Sequence, residues 1–278
     1  MSPPGRPKGE SLSAQREGSP MSASSVSASV PGTGRTAPMN GVLDNAILQV
    51  DAISTYYGAS RALFDVSLRV GAGQCVALLG RNGVGKSTVM RSIMGLTPPA
   101  QGAVRWKGRP ITGWRTDRIA RAGIGFVPED RRVFAELTVR ENLEVARRAA
   151  QRPGRWTIES AWELFPTLAS LRERRAGFLS GGEQQMLTIA RTLMCNPELL
   201  LLDEPSEGLA PLVVDSLLER VQRLRDDGLT ILLAEQGVNF SLALADEVYV
   251  LEKGAVVHRG PAAALRGDGA LRERLLTV

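Results

Sequence analysis

The sequence predicts an α/β fold: a parallel sheet covered on both faces, a separate antiparallel layer, and a helical stretch that interrupts the strands. Three observations lead there. CVALLG (75–80), ELLLLDE (198–204) and LTILLAE (229–235) are short and nearly all apolar, the pattern of strands buried on both faces. Between the last two, PLVVDSLLERVQRLRDDG repeats Val214, Leu217, Leu218, Val221 and Leu224 at helical spacing and closes on Gly228, so strand, helix and strand follow as in a crossover unit. Phe64, Val66, Leu68 and Val70 alternate with Asp65, Ser67 and Arg69, as expected of an antiparallel layer with one face in water.

Taken in order, residues 1–44 are rich in Ser, Pro, Gly and Ala with few large apolar side chains, and are expected to be a disordered tail. Residues 45–278 are expected to form one folded domain. It opens with strands at Ile47 to Tyr57 and Leu63 to Val70. A helical stretch over about 113–175 follows the first buried strand, and within it TVRENLEVARR places Thr138 and Glu141 at capping-box spacing. LSGGEQQMLTIARTLM (179–194) has the same spacing at Ser180 and Glu183, with Met186, Leu187, Ile189, Ala190 and Leu193 on a core-facing stripe. VYVLEKGAVVHRG (248–260) reads as a hairpin that carries His258 as a surface strand residue.

Composition narrows the chemistry. The chain has 278 residues, 43% of them hydrophobic, enough for a globular domain of ordinary size. The net charge of +5 comes from 34 basic against 29 acidic residues, a mild and dispersed excess, so no nucleic-acid partner is expected. The arginine-rich stretch from Arg115 to Arg175 reads as a solvated helical surface first and a docking face second. Cys75 and Cys195 lie in apolar surroundings without CxxC spacing, which suits two core thiols in a reducing compartment. No apolar run approaches the roughly 20 residues that span a bilayer, and the N-terminus lacks a signal-peptide centre, so a cytosolic protein is expected. With one histidine, a Ser-His-Asp triad elsewhere and a multi-histidine metal site are both excluded.

The chemistry is concentrated in GRNGVGKST, Gly80 to Thr88, directly after the strand CVALL. Here Gly80, Arg81, Asn82, Gly83 and Gly85 offer backbone N–H groups to phosphate oxygens. Lys86 reaches the β and γ phosphates, Ser87 presents its hydroxyl to Mg²⁺, and Thr88 continues into a helix whose N-terminus favours anions. The pattern therefore calls for a nucleotide and Mg²⁺. ELLLLDE supplies the carboxylates: Asp203 for the metal shell, Glu204 to deprotonate or orient the attacking water. Neighbours on a strand point to opposite sides, so both can serve only if the chain turns at Glu204, ahead of Pro205. The glycines of LSGGE, besides starting a capped helix, leave its N-terminus open to another phosphate.

A phosphate loop, then LSGGE, then an apolar strand ending in DE, in that order, resembles the ATP-binding subunits of ABC transporters over roughly residues 46–278. The resemblance implies a P-loop NTPase core of the RecA type with an antiparallel β layer and an inserted helical subdomain over about 113–175, the ABC ATPase cassette. It implies a head-to-tail homo- or heterodimer with a paralogous ATPase subunit. Each ATP would be held by Gly80 to Thr88 of one subunit and by Ser180, Gly181, Gly182 and Glu183 of the other. Tyr57 would stack on adenine, with adjacent Tyr56 as its competitor. Two transmembrane permease subunits would hold the protein at the cytoplasmic face of the inner membrane, with an extracytoplasmic solute-binding protein acting through them. A short permease helix would be received by a groove that includes Arg131, Arg132, Val133 and Phe134.

Four departures from the general pattern point to a subfamily. Glu129 stands where a Gln is usual and would approach the metal. Glu183 ends the signature, Ala210 replaces a common Asp in SEGLAP, and Gln236 replaces the usual switch histidine at the γ phosphate. VPEDRRVF, LSGGEQQML, DEPSEGLAP and ILLAEQ resemble the LivF-type subunit of branched-chain amino-acid importers. Importers of urea or short amides share most of these motifs, and a soluble ABC ATPase outside transport is the alternative from another class. Gln236 would be a neutral donor unable to titrate near neutrality, while Glu235 is left between a helix-start and a surface role.

Overall fold

The computed structural model describes residues 46–150 and 152–276; the expected tail over residues 1–44 lies outside them. Two sheets form among the described residues. The antiparallel sheet runs in the order β2-β1-β4-β5 and comprises β1 (Ala46–Tyr57), β2 (Ser60–Gly71), β4 (Gln101–Trp106) and β5 (Arg109–Pro110). The second sheet contains β3 (Cys75–Leu79), β6 (Ile124–Val127), β7 (Leu199–Asp203), β8 (Thr230–Glu235), β9 (Glu247–Glu252) and β10 (Ala255–Pro261), ordered β10-β9-β3-β8-β7-β6. Its pairs are parallel except for the β9–β10 hairpin, so His258 lies on a strand, half-buried.

Burial on both faces explains why these runs carry no alternation. Leu199 and Leu201 pack into one apolar cluster with Val76, Leu78 and the inner face of the antiparallel sheet. Leu200 and Leu202 point the other way, into a cluster with the helices on the opposite side. Helix α1 (Lys86–Ile93) fills the space between the sheets through Val89, Met90 and Ile93. Helix α2 (Thr116–Arg121) joins that cluster through Ile119. Between β6 and β7 come α3 (Val139–Ala149), α4 (Ile158–Leu164), α5 (Pro166–Ser170) and α6 (Gly181–Leu193). The Thr138 and Ser180 capping boxes both form. Helix α7 (Pro211–Asp226) links β7 to β8 and ends before Gly228, at φ +83°. Helices α8 (Val238–Leu244), α9 (Ala262–Gly267) and α10 (Gly269–Leu276) complete the described chain.

Three expectations are corrected. The stretch over about 113–175 is not helical throughout: it contains β6, which pairs with β7 at the edge of the parallel sheet, so the helices set apart from the strands begin only at α3. Phe64 does not share the buried face with Val66, Leu68 and Val70: it is 43% exposed, and Leu63 is buried in its place. Asp65 adopts φ +52° and the β1–β2 register slips between Ile53 and Thr55; a bulge reverses the side-chain alternation on either side of it. Cys75 is a core thiol, pushed up to about 12 by burial, but Cys195 is only half-buried because it follows the end of α6 rather than lying within it.

Candidate functional site

The phosphate loop bridges β3 and α1, and its last glycine makes the junction. Gly85 is the N-cap of α1 at φ +111°, and a Cβ there would stand 2.7 Å from Leu63 Cδ2. Backbone conformation and space both demand glycine. No side chain caps α1, which leaves its first N–H groups for an anion. Lys86 curls back over the loop and donates to the carbonyls of Gly80 (2.7 Å) and Arg81 (3.0 Å). Its Nζ also pairs with Glu204 Oε1 at 3.0 Å, with both side chains buried.

The carboxylates arrive from β7, which is not the neighbour of β3. Strand β8 intervenes, with Leu79 opposite Glu235 and Ala234 opposite Asp203, and the link is made by the first turn of α1. Ser87 Oγ donates to Asp203 Oδ1 at 3.0 Å. The next residue, Glu204, has φ +47° while its N–H donates to the Ala234 carbonyl at 2.9 Å. That left-handed turn, uncommon for a residue with a side chain, is what allows two consecutive carboxylates to face one site.

Burial pushes the Asp203 carboxyl up to about 6, opposed by the Ser87 hydrogen bond and aided by the nearby charges of Glu204 and Glu129. Oxygen donors of this kind, a hydroxyl beside a carboxylate with excess negative charge around them, fit Mg²⁺. Ser87 and Asp203 would hold it; Glu129, exposed after β6, lies close enough to act on Asp203 through its charge.

A cavity of about 420 Å³ opens over the loop, lined by Tyr57, Phe64, Gly83, Lys86, Ser87 and Glu204 among others. Tyr57 is 46% exposed, its hydroxyl 3.5 Å from Thr88 Oγ1; Tyr56 does not line the cavity. Sequence reasoning missed Arg61, Phe64 and Lys253 there. Arg61 lies over the Phe64 ring at 4.6 Å. The hairpin turns at Gly58 and Gly254 were visible signals, but the bulge that turns Phe64 outward was not.

Of the two roles left open for Glu235, the structure favours the helix start over the surface. The side chain is buried, accepts from Ser206 N at 3.0 Å and Gly237 N at 3.2 Å, and so ties the loop after β7 to the start of α8. Burial raises its pKa. Gln236, one residue on, is exposed and does not line the cavity. Nearby Glu207 is pushed up to about 7 by a hydrogen bond with Glu204, then by burial and by the charges of Glu204, Glu129 and Glu235.

Ser180, Gly181, Gly182 and Glu183 are not brought to this cavity. Ser180 caps α6, accepting from Glu183 N at 3.4 Å while Glu183 Oε2 accepts from Ser180 N at 2.7 Å. Gly182 lies against Val213 of α7 too closely for a Cβ.

Comparison with known proteins bears on this arrangement. The ABC transporter family matches residues 63–207. The high-affinity branched-chain amino acid transport ATP-binding protein BraG of Pseudomonas aeruginosa is 45% identical over 231 residues, covering 83% of this chain and 99% of that protein. A probable branched-chain amino acid transport ATP-binding protein LivF of Archaeoglobus fulgidus is 38% identical, with 78% and 92% covered. Among solved structures, an ATP-binding cassette of an ABC transporter superposes with a TM-score of 0.72 at 28% identity, over 83% of this chain and 97% of that one.

Proposed function

The chain belongs to the ABC transporter family, and on that premise we propose that it is the ATP-binding, ATP-hydrolysing subunit of an importer for branched-chain amino acids. The observation that carries the activity is the double link between the phosphate loop and the carboxylate strand: Lys86 to Glu204 and Ser87 to Asp203. The cargo rests on the similarity to the branched-chain transport proteins.

In this reading residues 45–278 are the ATPase domain, with the helical insertion beginning after β6 and running through α3, α4 and α5 to about residue 175. The triphosphate lies along Gly80 to Thr88 and takes over the ammonium of Lys86, releasing Glu204 to act as base toward water. Mg²⁺, held by Ser87 and Asp203, would neutralise phosphate charge. Tyr57 stacks on adenine, and Gln236 meets the γ phosphate when the dimer closes. Ser180, Gly181, Gly182 and Glu183 serve the ATP of the opposing subunit, which fits their distance from the cavity of their own chain. A bacterial ABC transporter cassette at 25% identity and TM-score 0.68 is dimeric, which supports a pair; in this reading it is head-to-tail, homo- or heteromeric. To swing the pair from mostly open to mostly closed, ATP must favour closure by about 5.5 kcal/mol. Permease subunits, bound at Arg131, Arg132, Val133 and Phe134, would follow that motion at the cytoplasmic face of the inner membrane, with a solute-binding protein outside.

The test is to assemble this chain with the permeases encoded beside it and measure which solute, presented by its binding protein, accelerates ATP turnover. Leucine, isoleucine or valine should do so. Acceleration by urea or short amides alone would replace the cargo. Proteins named for Nod factor export are 36–38% identical, so outward movement of a solute in the same assay would reverse the direction.

A further inference from the structure

Glu204 and Gln236 lie on two loops that leave the parallel sheet from neighbouring strands, the first after β7 and the second after β8. Strand β8 holds the first loop with two consecutive residues. The Ala234 carbonyl accepts from Glu204 N at 2.9 Å, and Glu235 Oε1 accepts from Ser206 N at 3.0 Å. The other oxygen of the same carboxylate, Oε2, accepts at 3.2 Å from the N–H of Gly237, which directly follows Gln236 and is the N-cap of α8. One side chain thus grips the residue two places beyond Glu204 and the residue one place beyond Gln236.

Burying a carboxylate is costly unless hydrogen bonds compensate it, and Glu235 is only 2% exposed. The group suits a two-point link because it has two acceptor oxygens on one rigid plane and no donor. Its bonds to N–H groups are also stronger than those of a neutral amide. Burial raises its pKa, the bonds from Ser206 and Gly237 lower it, and the charge of Glu204 is near enough to raise it again. Glu235 therefore lies close to Glu204, yet it does not line the cavity over the phosphate loop, so it acts on the site through its neighbours.

We propose that Glu235 is a positioning residue for ATP hydrolysis: its carboxylate, bonded to Ser206 N and Gly237 N, sets the spacing between Glu204 and Gln236 so that base and amide donor reach the same γ phosphate. This rests on the roles proposed above for those two residues. A glutamine at this position has the same shape, but its NH₂ faces one of the two N–H groups and leaves either Ser206 or Gly237 without an acceptor. An aspartate keeps the charge on a stem one carbon shorter and holds one loop while releasing the other.

The experiment follows steady-state turnover of Mg-ATP by the full chain, below the thermal midpoint of every variant, for Glu235→Gln, Gln236→Ala and the two combined. Glu235→Gln should lower kcat by about tenfold, the scale of one hydrogen bond to a charged group, with KM for ATP unchanged. Added to Gln236→Ala it should lower kcat by much less, since residues that act through one another are not additive. A lowered midpoint with kcat intact would reduce Glu235 to a structural residue and overturn the proposal. So would a raised KM with kcat unchanged, or the full tenfold loss retained beside Gln236→Ala. Glu235→Asp should lose turnover as well, and it serves alone if the glutamine variant fails to fold; an undiminished rate there would overturn the two-point grip. If Gln236→Ala by itself leaves turnover unchanged, the γ-phosphate role of Gln236 falls and this inference falls with it.

Discussion

At the phosphate loop, Lys86 and Ser87 are already engaged within the chain, with Glu204 and Asp203. At the N-terminus of α6, Ser180 is exposed and the guanidinium of Arg131 lies against Gly181. The first corner is a closed set of ion pairs and hydrogen bonds that a triphosphate enters by exchange. The second is a capped helix end where Val213 leaves no room for a Cβ on Gly182 and whose glycines, in the proposed dimer, serve the ATP of the opposing subunit. One subunit should therefore bind nucleotide by itself and turn it over only when a second supplies the other wall.

The largest expected effects break the first corner. Glu204→Gln should lower the ATPase rate by about 10²- to 10⁴-fold, the worth of a positioned general base, while Mg-ATP still binds; steady-state turnover beside equilibrium binding checks both. An unmodified rate would remove Glu204 from that role. Lys86→Ala should lose the affinity itself, since the buried cation is the loop's side-chain partner for phosphate.

Ser180→Ala addresses the other corner. It should cost about 1 kcal/mol of stability through the lost cap, lower turnover, and leave the ATP affinity of the dilute chain unchanged. A fall in that affinity would mean that the two corners are not separate within one chain.

A smaller effect lies in pH. Glu207 has a folded-state pKa raised to about 7, from an ordinary 4.5, so between those values the folded chain binds more protons than the unfolded one. The stability it contributes is full below about pH 4.5 and is lost as the pH rises through 7. Glu207→Gln, which mimics the protonated form, should raise the thermal unfolding midpoint of the nucleotide-free protein at pH 8 and leave it unchanged near pH 4.5. Gln236→Leu should not alter that profile, because an amide does not titrate. The smallest effect is expected at the cavity rim, where Tyr57→Ala should weaken ATP binding by roughly tenfold, the lower part of the aromatic stacking range, and Tyr56→Ala should leave it unchanged.

How much of this was legible follows from how local each signal is. GRNGVGKST, the capping boxes at Thr138 and Ser180 and the buried runs of β3, β7 and β8 are visible in sequence because a turn, a cap or a two-sided strand is specified by residues within a few positions of one another. The turn at Glu204 was anticipated from Pro205 and the need for two carboxylates on one side. The exposure of Phe64 was not, since it depends on a bulge set by pairing with another strand. Nor was the burial of Glu235, which follows from β8 lying between β3 and β7, nor the reach of Arg131 to Glu207, 76 residues away.

By itself, then, the amino-acid order determined the chemistry on offer and the elements that carry it: a phosphate loop, a pair of carboxylates, a capped glycine helix and a parallel sheet. Tertiary structure alone decided which groups meet, because strand order, register slips and arginine reach depend on distances that close only when the whole sheet is assembled. The pairing of Lys86 with Glu204 and the reach of Arg131 to the Glu207 carbonyl belong to that second class.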